Sequence, residues 1–224
     1  MDMRKIAGTL VIGLMVCASS ALGGPWDNPS GAGDDFTYAN GQDIHGLFGE
    51  PAVGGNTLYF VNTAFQVNVE NGGHESQWDT TSFDVTVTPG LFFSTMTVQA
   101  FGSYAVVGEG SSVDLDSGLT LTENVVSPRT WSGPLTTTPG FPITSGSGVW
   151  DGIAMVDVTW EFPTPADSMH VELSCIIDAL AAVGGSSQIN VQYEDLTITF
   201  GIIPEPASLL LLGLGGLGLL RRRR

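Results

Sequence analysis

Residues 112–122 read SVDLDSGLTLT, and this stretch carries the clearest structural pattern in the chain. Val113 and Leu115 alternate with acidic residues, and the alternation resumes at Leu119. Successive side chains of a strand point to opposite faces of a sheet, so a period of two indicates a strand with one apolar face. The Asp-Ser-Gly triplet at 116–118 is typical of a turn, and we therefore predict a β-hairpin here.

Further segments before residue 112 show the same kind of pattern. Each is rich in Val, Thr, Phe or Tyr, and Gly, Pro or Asn clusters bound most of them, as is typical of short strands. These segments are residues 57–61, 64–70, 82–88 and 94–101. No amphipathic helical stripe of useful length interrupts them, so the sequence favours an almost purely β fold.

The part of the chain after residue 150 continues the alternation of apolar and polar residues. In residues 153–162 it places Val156 and Trp160 on one apolar face, so we expect Trp160 to lie in the core. Residues 169–183 are expected to pair with residues 188–200 across a Gly-Gly-Ser-Ser turn.

Two stretches rich in Gly and Pro are interpreted as loops. Residues 24–35 would form a leader before the first strand, and residues 125–150 a long loop over one end of the sheet. About a dozen short amphipathic strands in one domain favour two packed sheets. We therefore predict an all-β fold, an antiparallel β-sandwich of jelly-roll-like type, as a single domain over residues 24–201.

The N-terminus has the organisation of a secretory signal peptide. Arg4 and Lys5 form a charged region, residues 6–16 are apolar, and residues 17–23 are mostly small. We predict that residues 1–23 form a signal-peptide helix and that the chain is exported.

The C-terminal residues 202–224 read IIPEPASLLLLGLGGLGLLRRRR. Residues 207–220 predict a single transmembrane helix, although its 14 residues give only about 21 Å of rise against a hydrocarbon core of about 30 Å. The arginines that follow would hold the C-terminus on the cytoplasmic side of the membrane. A plain C-terminal anchor is one interpretation of this segment, and a sorting signal is the other.

The order of Pro204-Glu205-Pro206, an apolar segment and terminal arginines resembles the PEP-CTERM sorting signal of exported bacterial proteins. The resemblance covers about a tenth of the chain, at residues 202–224. It implies that the partner is an exosortase-type membrane peptidase, in bacteria that also make exopolysaccharide. It further implies that the sorting motif is Pro204, Glu205 and Pro206, and that the stop-transfer residues are Arg221, Arg222, Arg223 and Arg224.

The same resemblance implies a route through the cell. The chain would be anchored transiently in the inner membrane and then reach the cell surface or the extracellular matrix. It does not identify what the folded body does.

The charge of the body excludes one class of function. Outside the two terminal signals the chain has 21 acidic residues and one cation, Arg129, a formal net charge of about −20. Nucleic-acid binding draws its affinity from Lys and Arg contacts with phosphate, so this class is excluded. Cys175 is the one cysteine of the body, which rules out an intrachain disulfide, and its alternation with Leu173 and Ile177 predicts a core position.

Two of the five tryptophans of the body are candidates for sugar binding. Trp78 and Trp131 lie in polar surroundings that we interpret as loops, where an exposed ring could stack on a sugar face. The alternative is that each ring folds back and covers the edge of the core.

Paired acidic residues suggest a metal site. Calcium prefers several oxygen ligands, which carboxylates in loops at the edge of a sheet provide. Asp34 and Asp35 near the start of the body and Glu194 and Asp195 near its end would hold a structural calcium ion if the terminal strands meet. The alternative is that these acids occupy solvated turns.

No catalytic motif is present. The three histidines are far apart, and the sequence contains neither HExxH nor GxSxG. We therefore expect a non-enzymatic exported protein with a structural or interaction role in the cell envelope or its exopolysaccharide. The alternative function is that of a carbohydrate-binding, lectin-like module, with or without calcium.

Overall fold

The computed structural model describes residues 24–162, 164–191 and 196–205. These residues form fifteen strands and one short helix. The first strands are β1 (Gly24–Pro25), β2 (Gly31–Ala32), β3 (Phe36–Asp43), β4 (Pro51–Gly54), β5 (Thr57–Phe60), β6 (Gln66–Glu70), β7 (His74–Val87) and β8 (Leu91–Val107). They are followed by β9 (Ser112–Glu123), β10 (Thr130–Pro134), β11 (Thr136–Thr138), β12 (Gly146–Asp157), α1 (Val158–Glu161), β13 (Ser168–Leu180), β14 (Ser186–Val191) and β15 (Leu196–Pro204).

The strands form two antiparallel sheets that pack face to face. Sheet 1 has the order β1-β3-β7-β13-β9-β10, with β2 also on β3. Sheet 2 has the order β11-β12-β8-β15-β5-β4, and the second half of β8 carries β14, which in turn pairs with β6. From β7 to β9, and again from β12 to β14, successive long strands cross between the sheets, as they do in jelly rolls. The predicted all-β antiparallel sandwich is confirmed.

The core lies between the sheets and is built by the alternation of apolar residues. In β13 every second residue from Met169 to Ala179 is buried, and Cys175 is one of them, as predicted. The predicted leader loop also contributes to the core, because Trp26 is buried against Tyr38, Phe60 and Phe83 and residues on either side of it pair with β3.

The predicted hairpin at residues 112–122 is wrong. These residues belong to one continuous strand, β9, which pairs with β13 over its whole length. Ser117 does not turn the chain; its side chain points inward and donates a hydrogen bond to the carbonyl oxygen of Ser174 at 2.8 Å. The polar triplet therefore interrupts the apolar face without breaking the strand.

The prediction that Trp160 lies in the core is also wrong. Strand β12 ends at Asp157, whose side chain accepts hydrogen bonds from the backbone N–H of Trp160 at 3.1 Å and from Thr159 Oγ1 at 2.6 Å. This is the arrangement of a helix N-cap, and it starts the four-residue helix α1. The change of period from 2 to 3.6 turns Trp160 outward, where its side chain is 83% exposed.

Two further expectations about connections are corrected. Strand β13 lies in sheet 1, while β14 and β15 lie in sheet 2, so residues 169–183 and 188–200 cross between the sheets instead of pairing. The predicted loop at residues 125–150 contains β10, β11 and the start of β12. The backbone there has edges of two neighbouring strands to pair with, which its Gly- and Pro-rich composition does not indicate.

The last described strand brings the C-terminal segment to one end of the sandwich. Strand β15 lies between β8 and β5 and extends to Pro204, beyond the predicted domain boundary at residue 201. The backbone N–H of Glu205 then donates to the carbonyl oxygen of Gly90 at 3.0 Å. We call this end of the sandwich, with the turn before β8, helix α1 and the end of β15, the tail end.

Several predicted segments lie outside the described residues. They are the signal peptide at 1–23, the transmembrane segment at 207–220 and the arginines that follow it. Within the described part of the chain, no helix combines the length and apolar character needed to cross a bilayer.

Candidate functional site

The outer face of sheet 1 carries a half-exposed tryptophan. Trp78 lies in β7, not in a loop, and alternates with the inward-facing Asp79. Its cross-strand neighbour in β13 is Ile176, which in turn lies opposite Asp116 of β9. The side chain of Trp78 is 50% exposed and that of Ile176 is also exposed. An apolar strip therefore lies on a face that is otherwise rich in Ser and Thr.

A shallow groove of about 350 Å³ begins beside this strip. Its floor is open because Gly118 has no side chain in the middle of β9, and Pro134 of β10 lies opposite Gly118. Hydroxyl groups line the groove, and Thr120 and Ser132 are hydrogen-bonded to each other across it at 3.0 Å. We call this groove together with Trp78 and Ile176 the Trp78 face.

The loop that follows β3 supports the Trp78 ring. The ring of His45 lies edge-on against that of Trp78, with 4.3 Å between the ring centroids. Asp79 fixes this loop from below, because its carboxylate accepts backbone hydrogen bonds from His45 at 2.8 Å and Leu47 at 2.7 Å. A tryptophan held in this way loses little conformational entropy when a ligand binds.

Beneath the loop lies a pair of buried carboxyl groups. Asp43 and Asp79 are 3% and 1% exposed. Burial, together with the hydrogen bond and the charge of Asp79, raises the pKa of Asp43 to about 8, against the opposing backbone N–H groups of Gly49 and Gly46. Asp43 Oδ2 accepts a hydrogen bond from the backbone N–H of Gly49 at 2.8 Å, whereas Asp43 Oδ1 is buried and accepts none from the described residues.

The arrangement of the Trp78 face suits a sugar. A sugar ring presents an apolar face of C–H groups to an aromatic ring and hydroxyl groups at its rim. Here the Trp78 ring and Ile176 supply the apolar surface, and Ser174, Thr120 and Ser132 supply donors and acceptors along the groove. Sites of this kind combine a mostly apolar contact with a few polar groups that orient the ligand.

Trp131 does not join this face. It lies in β10 opposite the buried Leu121, so its ring points toward the core, and a side chain at Gly133 would collide with it. Trp131 is partly buried against the core, which is the alternative that the sequence left open. The structure therefore separates the two tryptophans that we predicted as glycan-binding residues, and Trp78 remains the candidate.

The predicted calcium ligands are only partly within the described residues. Asp35 is hydrogen-bonded to Asn56, whose Nδ2 donates to Asp35 Oδ2 at 2.9 Å, while Asp34 binds Gly55 through its backbone N–H at 3.1 Å. Glu194 and Asp195 lie outside the described residues. No group of three or more His, Cys, Asp or Glu side chains with metal-binding geometry occurs in the residues that are described. The calcium site stays a prediction.

The other groups capable of chemistry are dispersed or buried. Burial raises the pKa of the Cys175 thiol to about 12, so the reactive thiolate is scarce at neutral pH. His74 is paired with Asp178 at 2.8 Å and His170 with Asp84 at 2.9 Å, at opposite ends of sheet 1. Burial alone would raise the pKa of Asp84, but hydrogen bonds from Asn40 and His170 hold it below its usual value.

The Asp43–Asp79 pair that supports the Trp78 face was not predicted from the sequence. A signal for Asp79 was present, because it occupies the same parity as Phe83 and Val85 and therefore points inward. An acid in an inward position predicts a buried partner. Nothing in the sequence indicated that the partner is Asp43, since this contact depends on how β3 pairs with β7.

Comparison with known proteins gives one family match. Residues 203–224 match the model of the PEP-CTERM protein-sorting motif, so the recognition based on Pro204, Glu205 and Pro206 is confirmed. No curated protein sequence matches the chain.

Solved structures share only a distant likeness with this chain. TmCBM61, solved in complex with beta-1,4-galactotriose, is 10% identical, with a TM-score of 0.26, covering 81% of this chain and 98% of that one. The enzymatically active domain of tailspike protein 4 of bacteriophage CBA120 is 9% identical, with a TM-score of 0.25 and coverages of 66% and 19%. The VP2 subviral particle of infectious bursal disease virus is 12% identical, with a TM-score of 0.24 and coverages of 64% and 42%. At such TM-scores these likenesses carry no argument about this protein.

Proposed function

Because residues 203–224 carry a PEP-CTERM protein-sorting motif, we propose that an exosortase sorts this chain to the cell surface or the extracellular matrix. There the sandwich has a structural or interaction role in the envelope and its exopolysaccharide. The residues of the motif have separate roles in the proposal. Pro204, Glu205 and Pro206 are recognised by the peptidase, residues 207–220 form the transient membrane segment, and the C-terminal arginines stop transfer.

The sorting motif lies directly at the end of a folded domain, and this position supports the proposal most strongly. Strand β15 completes sheet 2 and ends at Pro204, within the motif. The sandwich therefore supplies the exported cargo, and the motif follows without an intervening domain. The strongly acidic body suits an exported protein that must stay soluble and avoid nonspecific association.

The test is expression of the full chain in a bacterium that contains an exosortase and in the same strain without it. We expect a processed product lacking the C-terminal arginines only in the first strain, as measured by intact mass. Glu205→Gln should reduce this processing, whereas Glu161→Gln, another exposed acid at the tail end, should not. A product that retains all four arginines in both strains would instead indicate a permanent anchor.

A second candidate function rests on the Trp78 face. In this proposal the face binds a glycan of the envelope, with one sugar ring stacked on Trp78 and its neighbours in the groove. Asp116 and Glu172 are exposed on the same face, so it would repel acidic polysaccharides, and the proposed ligand is a neutral glycan.

The glycan proposal is tested with the full chain in detergent on a glycan array, followed by calorimetry. Trp78→Ala is expected to weaken binding at least roughly tenfold, which corresponds to about 1.4 kcal/mol. Trp160→Ala is the matched control, because it removes an exposed indole outside the Trp78 face. Binding that survives Trp78→Ala, or no binding to any neutral glycan, would contradict the proposal.

Catalysis has no role in either proposal. Cys175 is buried with a raised pKa, and the two His–Asp pairs lie apart on sheet 1. A substrate screen for hydrolase activity should therefore find none.

A further inference from the structure

The tail end of the sandwich carries an apolar surface that the fold itself does not use. A groove of about 230 Å³ lies there between Phe92 of β8, Phe162 after helix α1 and Ile203 of β15. Trp160 stands on the same short helix and is 83% exposed, and Ile203 is also exposed. A large apolar side chain so fully in solvent costs free energy unless a partner covers it.

The short distance in sequence between the sandwich and the apolar C-terminal segment indicates that the partner is a membrane. Pro204 pairs with Leu91, and the backbone N–H of Glu205 is hydrogen-bonded to Gly90, so the chain is held by the sandwich up to residue 205. The apolar segment begins at Ala207, two residues later. Two residues span at most about 7 Å. So short a connection would keep the tail end close to the membrane surface whenever the apolar segment is in the bilayer.

We propose that the tail end is a membrane-docking surface, with Trp160 inserted at the level of the lipid headgroups while the C-terminal segment is in the bilayer. The proposal rests on the anchoring step of the proposed function. Trp is enriched at membrane–water interfaces, because its ring is apolar and its N–H can still be hydrated. Docking would fix the height of the sorting motif relative to the membrane in which the peptidase resides.

The charge of the tail end indicates which class of lipid it would contact. The exposed acids beside Trp160 are Asp157 and Glu161, and Glu205 follows β15. Arg129, at the same end, is already bound to Glu123. No unpaired cation is therefore available in the described part of this surface to attract anionic lipid, and docking is expected on zwitterionic lipid and to weaken as anionic lipid is added.

The test uses the full chain reconstituted into phosphatidylcholine vesicles that contain lipids brominated near the headgroup. Bromine quenches nearby tryptophans, so we expect quenching in the wild type and its loss in Trp160→Phe. Trp78→Phe is the matched control, because Trp78 lies eight residues along β7 from Thr86 at the tail end, about 26 Å away, and its removal should preserve the quenching.

Vesicle flotation distinguishes a failure of the docking proposal from a failure of the membrane-anchoring step of the proposed function. A chain that floats with the vesicles but shows equal quenching in the wild type and Trp160→Phe would overturn the docking surface and leave sorting intact. A chain that does not float would overturn the anchoring step, and the docking proposal with it. Because the side chain of Trp160 is mostly exposed and contributes little to the core, Trp160→Phe should keep the wild-type melting temperature. An unchanged melting temperature excludes misfolding as the cause of lost quenching.

Discussion

The buried Asp43–Asp79 pair makes a specific prediction about stability and pH. In the folded protein Asp43 keeps its proton up to about pH 8, while in the unfolded chain it releases the proton near the ordinary aspartate pKa of 3.8. Between these values unfolding releases a proton, so the free energy of unfolding must fall as pH rises. The contribution is fully present below the unfolded pKa and is lost as pH approaches the folded one.

The magnitude follows from the size of the shift. Each pH unit within the window changes the free energy of unfolding by about 1.4 kcal/mol for one proton. Raising the pH from about 5 to about 8 should therefore remove up to about 4 kcal/mol, or roughly 10 °C of melting temperature for a body of this size. Asp43→Asn should flatten this decline, because its amide N–H can donate to Asp79 at every pH.

The assay is urea unfolding followed by circular dichroism at several pH values, for the wild type and two variants. Asp157→Asn is the control of opposite sign, because hydrogen bonds from Thr159 and from the backbone N–H of Trp160 lower the pKa of Asp157, so its contribution is lost as pH falls. It should leave the decline between about pH 5 and 8 unchanged. An equal decline in the wild type and Asp43→Asn would refute the shared proton.

Two further predictions concern packing and the one cation of the body. Arg129 Nε and Nη2 donate to the two oxygens of Glu123, whose side chain is 4% exposed, so Arg129→Met leaves buried acceptors unpaired and should cost roughly 1–3 kcal/mol by chemical denaturation. Combining it with Glu123→Gln should recover part of that loss, and equal losses in the single and double variants would contradict a buried pair. A Cβ at Gly102 would lie 2.0 Å from the carbonyl oxygen of Asn190, so Gly102→Ala should lower the melting temperature strongly, whereas Gly140→Ala, with nothing within 4 Å, should not.

The fold class could be predicted because alternation of apolar residues needs only local sequence. In β9, Val113, Leu115, Leu119 and Leu121 all have the same parity, so the phase continues through the polar triplet. A continuous phase indicates one strand. The sequence therefore contained a signal for a single strand, although the Asp-Ser-Gly composition of residues 116–118 favoured a hairpin. Residue composition alone led to the wrong prediction of a turn.

The remaining errors depend on contacts that the local pattern does not contain. Trp160 has the parity of a buried strand residue, and only the cap formed by Asp157 rotates it outward. Trp78 appeared to lie in a loop because its neighbours are polar, but it belongs to β7, where the polar Asp79 points inward and Trp78 faces outward beside Ile176 of β13. The cap at Asp157 therefore decides the exposure of Trp160, and strand pairing decides that of Trp78.

The position of β15 has a mechanical consequence for a protein tethered through its C-terminus. A pull on the tether reaches a strand that is hydrogen-bonded to β8 along most of its length and to β5 at its start. Tension along such an interior strand loads many hydrogen bonds in shear together, whereas an edge strand could be peeled off one bond at a time. If the chain is anchored as proposed, the strand that takes the load is therefore held by β8 from residue 197 to residue 204.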